Sequence, residues 1–175
     1  SERCAHPNVW GGSALSTGVG GGSGTKTDPY RLSAAAHFVS VSDYFAELVA
    51  QTDDDVCSTA HFRQDADVDL TAALSTFAWV PIGEDDDPFR GLFDGQGYAI
   101  EGFTLDSDRH ASGFFARTVN ATVRNVVLSN VDVTFQGTKV GALIGHAERT
   151  ELTQLRVSGD AAFGASSKEA GGVIG

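Results

Sequence analysis

Ile100-Glu101-Gly102-Phe103-Thr104-Leu105, Val123-Arg124-Asn125-Val126-Val127-Leu128 and Leu152-Thr153-Gln154-Leu155-Arg156-Val157 share one pattern, with apolar side chains in the first, fourth and sixth places. The copies open at positions 100, 123 and 152. A second element is interleaved. Gly113-Phe114-Phe115-Ala116, Gly141-Ala142-Leu143-Ile144-Gly145 and Gly171-Gly172-Val173-Ile174-Gly175 open at the more even positions 113, 141 and 171. Short apolar runs and Gly turns at this spacing mark a β-solenoid, in which no coil buries its apolar face alone. Leucine-rich repeats have a similar period, but their Leu/Asn template is absent. The inward ladder is expected to be Ile100, Phe103, Leu105, Val123, Val126, Leu128, Leu152, Leu155 and Val157.

Upstream of the repeats the period is two. Phe62, Gln64, Ala66, Val68 and Leu70 alternate with Arg63, Asp65, Asp67 and Asp69, so one strand has a mostly apolar and a charged face. Phe77 to Ile82 reads as a second strand ending at Gly83, and Glu84 to Pro88 as a solvated acidic loop. Before residue 61 the pattern is helical. Ala34, Phe38, Val41, Phe45 and Leu48 recur at +4, +3, +4 and +3, which predicts an amphipathic helix over 33–51. Ser33 is its expected N-cap, and a break near Ser42 is allowed for. The helix is expected to pack on the body and cap its N-terminal end. Residues 1–32 read as irregular, with Gly18 to Gly24 a mobile loop or a backbone strip across the body. The organisation expected is a cap over 1–60 and repeats over 61–175 within one domain.

Composition narrows the partners. The 175 residues carry 23 acidic and 12 basic side chains, a net charge of −11, with sixteen Asp and only three Lys. Scattered cations and excess acid disfavour nucleic acid. No run of about 18 apolar residues exists, so no helical membrane insertion is expected. Met is absent and residues 1–20 lack an apolar leader core, so a leader is expected to have been removed or to lie upstream. Cys4 and Cys57 fit no metal motif. They are either a disulfide or two buried thiols, and an extracellular setting favours the disulfide. Trp10 would then pack near Phe38 or Phe45, sealing the N-terminal end.

The repeats, read with the segment before them, resemble the Glug-motif family of bacterial surface proteins. The resemblance rests on Trp79-Val80-Pro81-Ile82-Gly83, on the string from Phe89 to Ile100, on Gly113-Phe114-Phe115 and on Val140 to Gly145. Asp28 to Leu32 and Asp65 to Leu70 resemble the lead-in that often precedes such repeats. Ala116 departs from the usual Gly, and Gly spacing degenerates in the last coil. The resemblance implies a right-handed parallel β-helix in adhesins and in non-catalytic regions of surface peptidases. It brings no catalytic residue.

Several residues carry possible chemistry. Asp65, Asp67 and Asp69 on one strand face can bind Ca²⁺, with help from loops 53–55 and 84–87, or can be a solvated face. They fail the EF-hand template at Leu70 and Thr76. His6, His37, His61, His110 and His146 show no metal spacing. No nucleophile elbow is present. Asp106, Asp108, Arg109, Arg124 and Arg156 hold parts of a glycan-cleaving site, but no pair is fixed by spacing. Asn120-Ala121-Thr122 matches the N-glycosylation sequon and also reads as a turn. The function expected is a non-enzymatic extracellular or cell-surface module, a stalk or adhesive surface for a glycan or protein ligand. A polysaccharide-processing enzyme and a self-assembling subunit are the alternatives, the last because the C-terminal coil has no evident cap.

Overall fold

The computed structural model describes residues 15–49, 57–164 and 169–175. Cys4, Trp10 and Asp53 to Asp55 lie outside them, and with them the expected disulfide and the Trp10 packing. The fold is mainly β. The order is α1 (Leu15–Gly18), β1 (Tyr30–Leu32), α2 (Ala35–Val49), a 3-10 turn (Cys57–Thr59), β2 (His61–Gln64), β3 (Val68–Asp69) and α3 (Thr71–Leu74). Then come β4 (Leu92–Asp94), β5 (Ala99–Glu101), β6 (Thr104–Ser107), β7 (Ala111–Ser112), β8 (Phe115–Val119), β9 (Thr122–Phe135), β10 (Lys139–Gly141), β11 (Ile144–Glu148), β12 (Glu151–Phe163) and β13 (Glu169–Gly171).

Every strand pairing among the described residues is parallel. The largest sheet contains β1, β2, β4, β9 and β12 in hydrogen-bonded succession, with β3, β5 and β6 alongside. Two smaller sheets hold β7, β10 and β13, and β8 with β11. Parallel partners are usually buried on both faces by helices. Here the inward faces of the sheets bury one another instead, through ladders of like residues. Tyr30, Phe62, Phe93, Val123 and Leu152 form one ladder. Val68, Ile100, Leu128 and Val157 form a second. Leu105, Val133 and Ala161 form a third, and Ile82, Phe115, Ile144 and Ile174 a fourth.

This register corrects the alignment of the first two repeat copies. Val123 stacks on Phe93, and Ile100 stacks under Leu128. Ile100–Leu105 therefore does not align with Val123–Leu128. Each turn of the chain holds two apolar runs of similar spacing, one before and one after a backbone corner. The second run of one turn consequently looks like the first run of the next. The Gly-containing element keeps its start as read, with Ser112 paired to Val140 and Gly141 to Gly171, but slips by one residue after the Gly, so that Phe115 pairs with Ile144 rather than Leu143.

The corners are set by left-handed residues. Gln96, Asn125 and Gln154 have φ of 52°, 54° and 52°, and Gly102 and Asn130 have 73° and 52°. Asn tolerates this region better than other side chains, which explains its recurrence at the bends. A Cβ on Gly102 would lie 2.1 Å from Thr71 Oγ1, so steric room as well as φ requires Gly there.

Helix α2 forms as expected but starts at Ala35 rather than at 33. Phe38, Val41 and Phe45 are buried, as is Tyr44, which the stripe omitted, whereas Ala34 is exposed and precedes the helix. The Ser33 amide donates to His37 Nδ1 at 3.0 Å, so the ring satisfies the backbone where Ser33 was expected to cap. The helix does not break at Ser42. That buried hydroxyl donates to Val80 O and accepts from Val80 N, both at 2.8 Å, clipping the helix to the 77–82 segment. This segment is extended but is not a strand; only Ile82 bridges to Phe115. The 61–70 strand is likewise interrupted between Gln64 and Val68.

Under α2 lies an aromatic cluster. Phe38 sits 6.4 Å from Phe93 and 6.3 Å from Phe114, and Phe45 lies 6.2 Å from Phe89. Trp79 stacks on Phe114 at 4.6 Å and donates its indole N–H to Phe114 O. The glycine-rich segment is the backbone strip of the two alternatives. Gly20 N donates to Arg31 O and Arg31 N to Gly21 O, which occupies the outer edge of β1. The parallel sheet thus begins at Tyr30, inside the segment expected to be cap.

Candidate functional site

The outward positions follow the same register as the core, so they too form columns. One runs Arg63, Asp94, Arg124, Thr153 and its neighbour His61, Leu92, Thr122, Glu151. With Lys26, Thr27 and Pro29 of the N-terminal strip, all of these but Thr153 line a groove of about 370 Å³. Neighbouring strands are about 4.8 Å apart, so unlike charges in a column meet directly. Arg124 Nε donates to Asp94 Oδ2 at 3.0 Å, and Arg63 reaches sideways to Asp65 at 2.7 Å. That hydrogen bond is the main cause holding the Arg63 guanidinium above its ordinary pKa.

Asp94 is the most connected carboxylate here. It accepts from the Gln96 amide at 2.9 Å and Asn125 Nδ2 at 3.1 Å as well as from Arg124. Burial pushes its pKa up, but these bonds outweigh it and hold the group below the usual carboxylate value. Sequence reading did not single out Asp94. The signal that finds it is the repeat step itself, which carries each strand onto the next and sets Asp94 beside Arg124 and Asn125.

A second groove, about 340 Å³, is lined by Leu74, Phe77, Trp79, Thr104, Leu105, Asp106, Asp132 and Thr134. A third, about 300 Å³, lies beneath the acidic loop. There Arg109 pairs with Glu84, Arg117 bonds Asp85 O, and His110 Nε2 lies 3.7 Å from Asp85. Arg117 also donates to Glu148 at 2.9 Å, the main cause lowering the Glu148 pKa. The loop expected to be solvated is pinned by two arginines, Arg109 and Arg117.

The Asp65, Asp67 and Asp69 carboxylates are not brought together as a cation site. Asp65 binds Arg63 and Gln96, Asp67 accepts from the Ala99 amide at 2.8 Å, and Asp69 accepts from the Thr71 amide at 2.9 Å. The break after Gln64 turns them toward different neighbours. Among the described residues no group of three His, Cys, Asp or Glu is gathered to hold a metal. The glycan-cleaving candidates are also dispersed. Asp106 borders the second groove, Arg109 the third and Arg124 the first, while Asp108 and Arg156 are exposed. His37, His61 and His146 lie on α2, β2 and β11 and His110 in the bend before β7, while His6 lies outside the described residues. No helix among the described residues is long and apolar enough to cross a membrane.

Fold and outer surface together define a mainly β, parallel-stranded repeat segment with shallow charged grooves. No family model matches the chain. It is 36% identical over 141 residues to a protein of Evansella cellulosilytica provisionally named a Gly-rich membrane protein, covering 77% of this chain and 15% of the relative. It is 30% identical over 175 residues to halomucin of Haloquadratum walsbyi, covering 94% of this chain and 2% of the relative. The chain thus spans a small part of each. A crystal structure from Bacteroides ovatus, provisionally named an immunoglobulin A1 protease, superposes with a TM-score of 0.62 at 18% identity. That likeness covers 90% of this chain and 44% of the other, and it concerns the fold alone.

Proposed function

We propose that the chain is a segment of a right-handed parallel β-helix in an extracellular or cell-surface protein, acting without catalysis as a rigid stalk or adhesive surface. The observation carrying this reading is the parallel register, in which inward ladders and outward columns recur from one turn of the chain to the next. Such a stack gives length and stiffness without a deep cleft. The names of the two relatives support a surface setting, and the residues from Trp79 to Gly145 support the Glug-motif resemblance. The dispersal of Asp106, Asp108, Arg109, Arg124 and Arg156 favours binding over cleavage.

The test is twofold. Antibody labelling of intact source cells is expected to detect the segment at the surface. The purified chain is expected to release no product from immunoglobulin A1 or mixed polysaccharides at high concentration. Product release that follows the chain through purification overturns the non-catalytic reading. The reading requires no cofactor, so unfolding curves with and without a chelator are expected to coincide. A shift on Ca²⁺ removal would reinstate the acidic face as a site.

A second reading, association of two copies, is favoured by the half-buried Leu152, Leu155 and Val157 and by Phe163, 40% exposed. Light scattering decides it: a mass that rises with concentration supports association, and a constant monomer mass removes it.

A further inference from the structure

Three of the left-handed corner residues are Asn, namely Asn120, Asn125 and Asn130. Only Asn120 is followed by a sequon, Ala121-Thr122; Asn125 precedes Val126-Val127 and Asn130 precedes Val131-Asp132. We propose that Asn120 is an N-glycosylation site, carrying an oligosaccharide on its Nδ2. The inference goes beyond the surface reading, but it rests on that reading's export of the chain to a compartment containing an oligosaccharyltransferase.

The geometry suits the modification. Asn120 is exposed, at φ 51°, on the corner between β8 and β9. Its Oδ1 accepts from Arg149 Nε at 3.0 Å. A guanidinium only donates, so this contact fixes which end of the amide faces Arg149. The acceptor end is occupied, and Nδ2, the atom that takes the sugar, has no hydrogen-bond partner among the described residues. Thr122, whose hydroxyl the sequon requires, has none either, and its side chain is part-exposed at the start of β9. Ala121, buried at 3% exposure, anchors the turn between them.

The donor is an oligosaccharide linked through phosphate to a polyprenyl lipid. The bond from sugar C1 to phosphate oxygen breaks, its electron pair leaving with the lipid phosphate. A C1–Nδ2 bond forms and Nδ2 gives up one proton, with no change in oxidation state. Oδ1 remains a carbonyl oxygen, so the Arg149 hydrogen bond survives and the glycan projects from the corner into solvent. In contrast, Nδ2 of Asn125 is already engaged, donating to Asp94 at 3.1 Å.

The test is to secrete the whole chain, behind the host's own leader, from a eukaryotic host that N-glycosylates. Intact mass is then measured before and after peptide N-glycosidase. The expected result is a mass above the polypeptide mass that collapses on treatment, with Asn120 recovered as Asp. Asn120→Gln and Thr122→Ala are expected at polypeptide mass, and Thr122→Ser above it. If Asn120→Gln is not secreted, the contrast between Thr122→Ala and Thr122→Ser still decides. Secreted chain at polypeptide mass, beside a control glycoprotein modified in the same culture, overturns the proposal. So does modification that survives Thr122→Ala. Because the host supplies the leader, neither failure bears on the surface reading, which the cell-labelling experiment tests separately.

Discussion

Around Phe62, Phe89, Phe93 and Phe114 the interior is aromatic and closed by α2, whereas around Leu152, Leu155 and Val157 it is aliphatic and half-exposed. Both regions belong to the same parallel sheet, and Phe93, Val123 and Leu152 occupy one ladder. The difference is therefore in what covers the ladder, not in its backbone pairing. At β1 the edge is taken by Gly20 and Gly21, and Gly24 O receives the His61 amide. Among the described residues β12 pairs only with β9. Backbone register propagates from turn to turn, while stability collects where large side chains are enclosed.

The most severe way to break this contrast is to empty its aromatic side. Phe114 contacts Phe38, Trp79, Phe93, Phe103 and Phe115. Phe114→Ala is expected to cost about 4 kcal/mol, within the range for large-to-small core changes, against about 1 kcal/mol for Leu155→Ala. Urea denaturation of the two variants measures both, and equal losses would show that enclosure does not set the difference. Next comes the expected Cys4–Cys57 bond, which would tie the N-terminal side further. Closing a ring of that span is worth roughly 4 kcal/mol by the chain-entropy argument. Mass spectrometry of the non-reduced protein is expected to find no free thiol, and reduction is expected to lower the urea midpoint.

The contrast was partly legible beforehand. Repetition, stacking and the helix follow from apolar spacing, which directly reflects what must be buried, whereas parallel pairing was implied by the Glug-motif resemblance. Register was not legible, because Ile100–Leu105 and Val123–Leu128 have the same apolar spacing although they sit on different sides of a corner. Only the left-handed φ of Asn125 and Asn130 separates them, and Asn in a sequence does not announce its φ. A break near Ser42 is allowed for because local hydrogen bonding is all a sequence reveals of that side chain. Its partner Val80 is 38 residues away. The three carboxylates diverge for a related reason: alternation predicts which way Asp65, Asp67 and Asp69 point only while the strand stays straight.

Corners offer a milder perturbation. Gly102→Ala places a Cβ at φ 73° and 2.1 Å from Thr71 Oγ1. The left-handed penalty alone is about 1–2 kcal/mol, and the contact adds to it, so a loss of about 2 kcal/mol is expected in urea. A neutral result would mean that the corner relaxes freely. Ser42→Ala is expected to cost about 1.5 kcal/mol, since both polar groups of Val80 lose their partner. Hydrogen exchange at Val80 is expected to quicken more than exchange at Val133, deep in β9; equal change at both would place the loss in global stability alone.

The smallest effect separates the outer columns from the core. Asp94 has a folded pKa below its ordinary value: burial works to raise it, but the bonds from Gln96, Asn125 and Arg124 prevail. A carboxylate depressed on folding stabilises the protein fully above its unfolded pKa, near about 3.9, and this contribution is lost as pH falls from there through the folded value. Its side chain keeps 17% of its exposure and the Arg124 partner 44%, so solvent screening holds the effect below about 1 kcal/mol. Asp69 and Glu148, also depressed, add to the same acid window from other corners. Asp94→Asn keeps the shape and an acceptor oxygen but has no proton to gain. Between pH 7 and pH 3 its urea midpoint is expected to fall less than that of the unsubstituted chain. If Asp94→Asn and the unsubstituted chain lose stability in parallel, the Asp94–Arg124–Asn125 corner is a surface ornament and the columns contribute nothing to holding the stack.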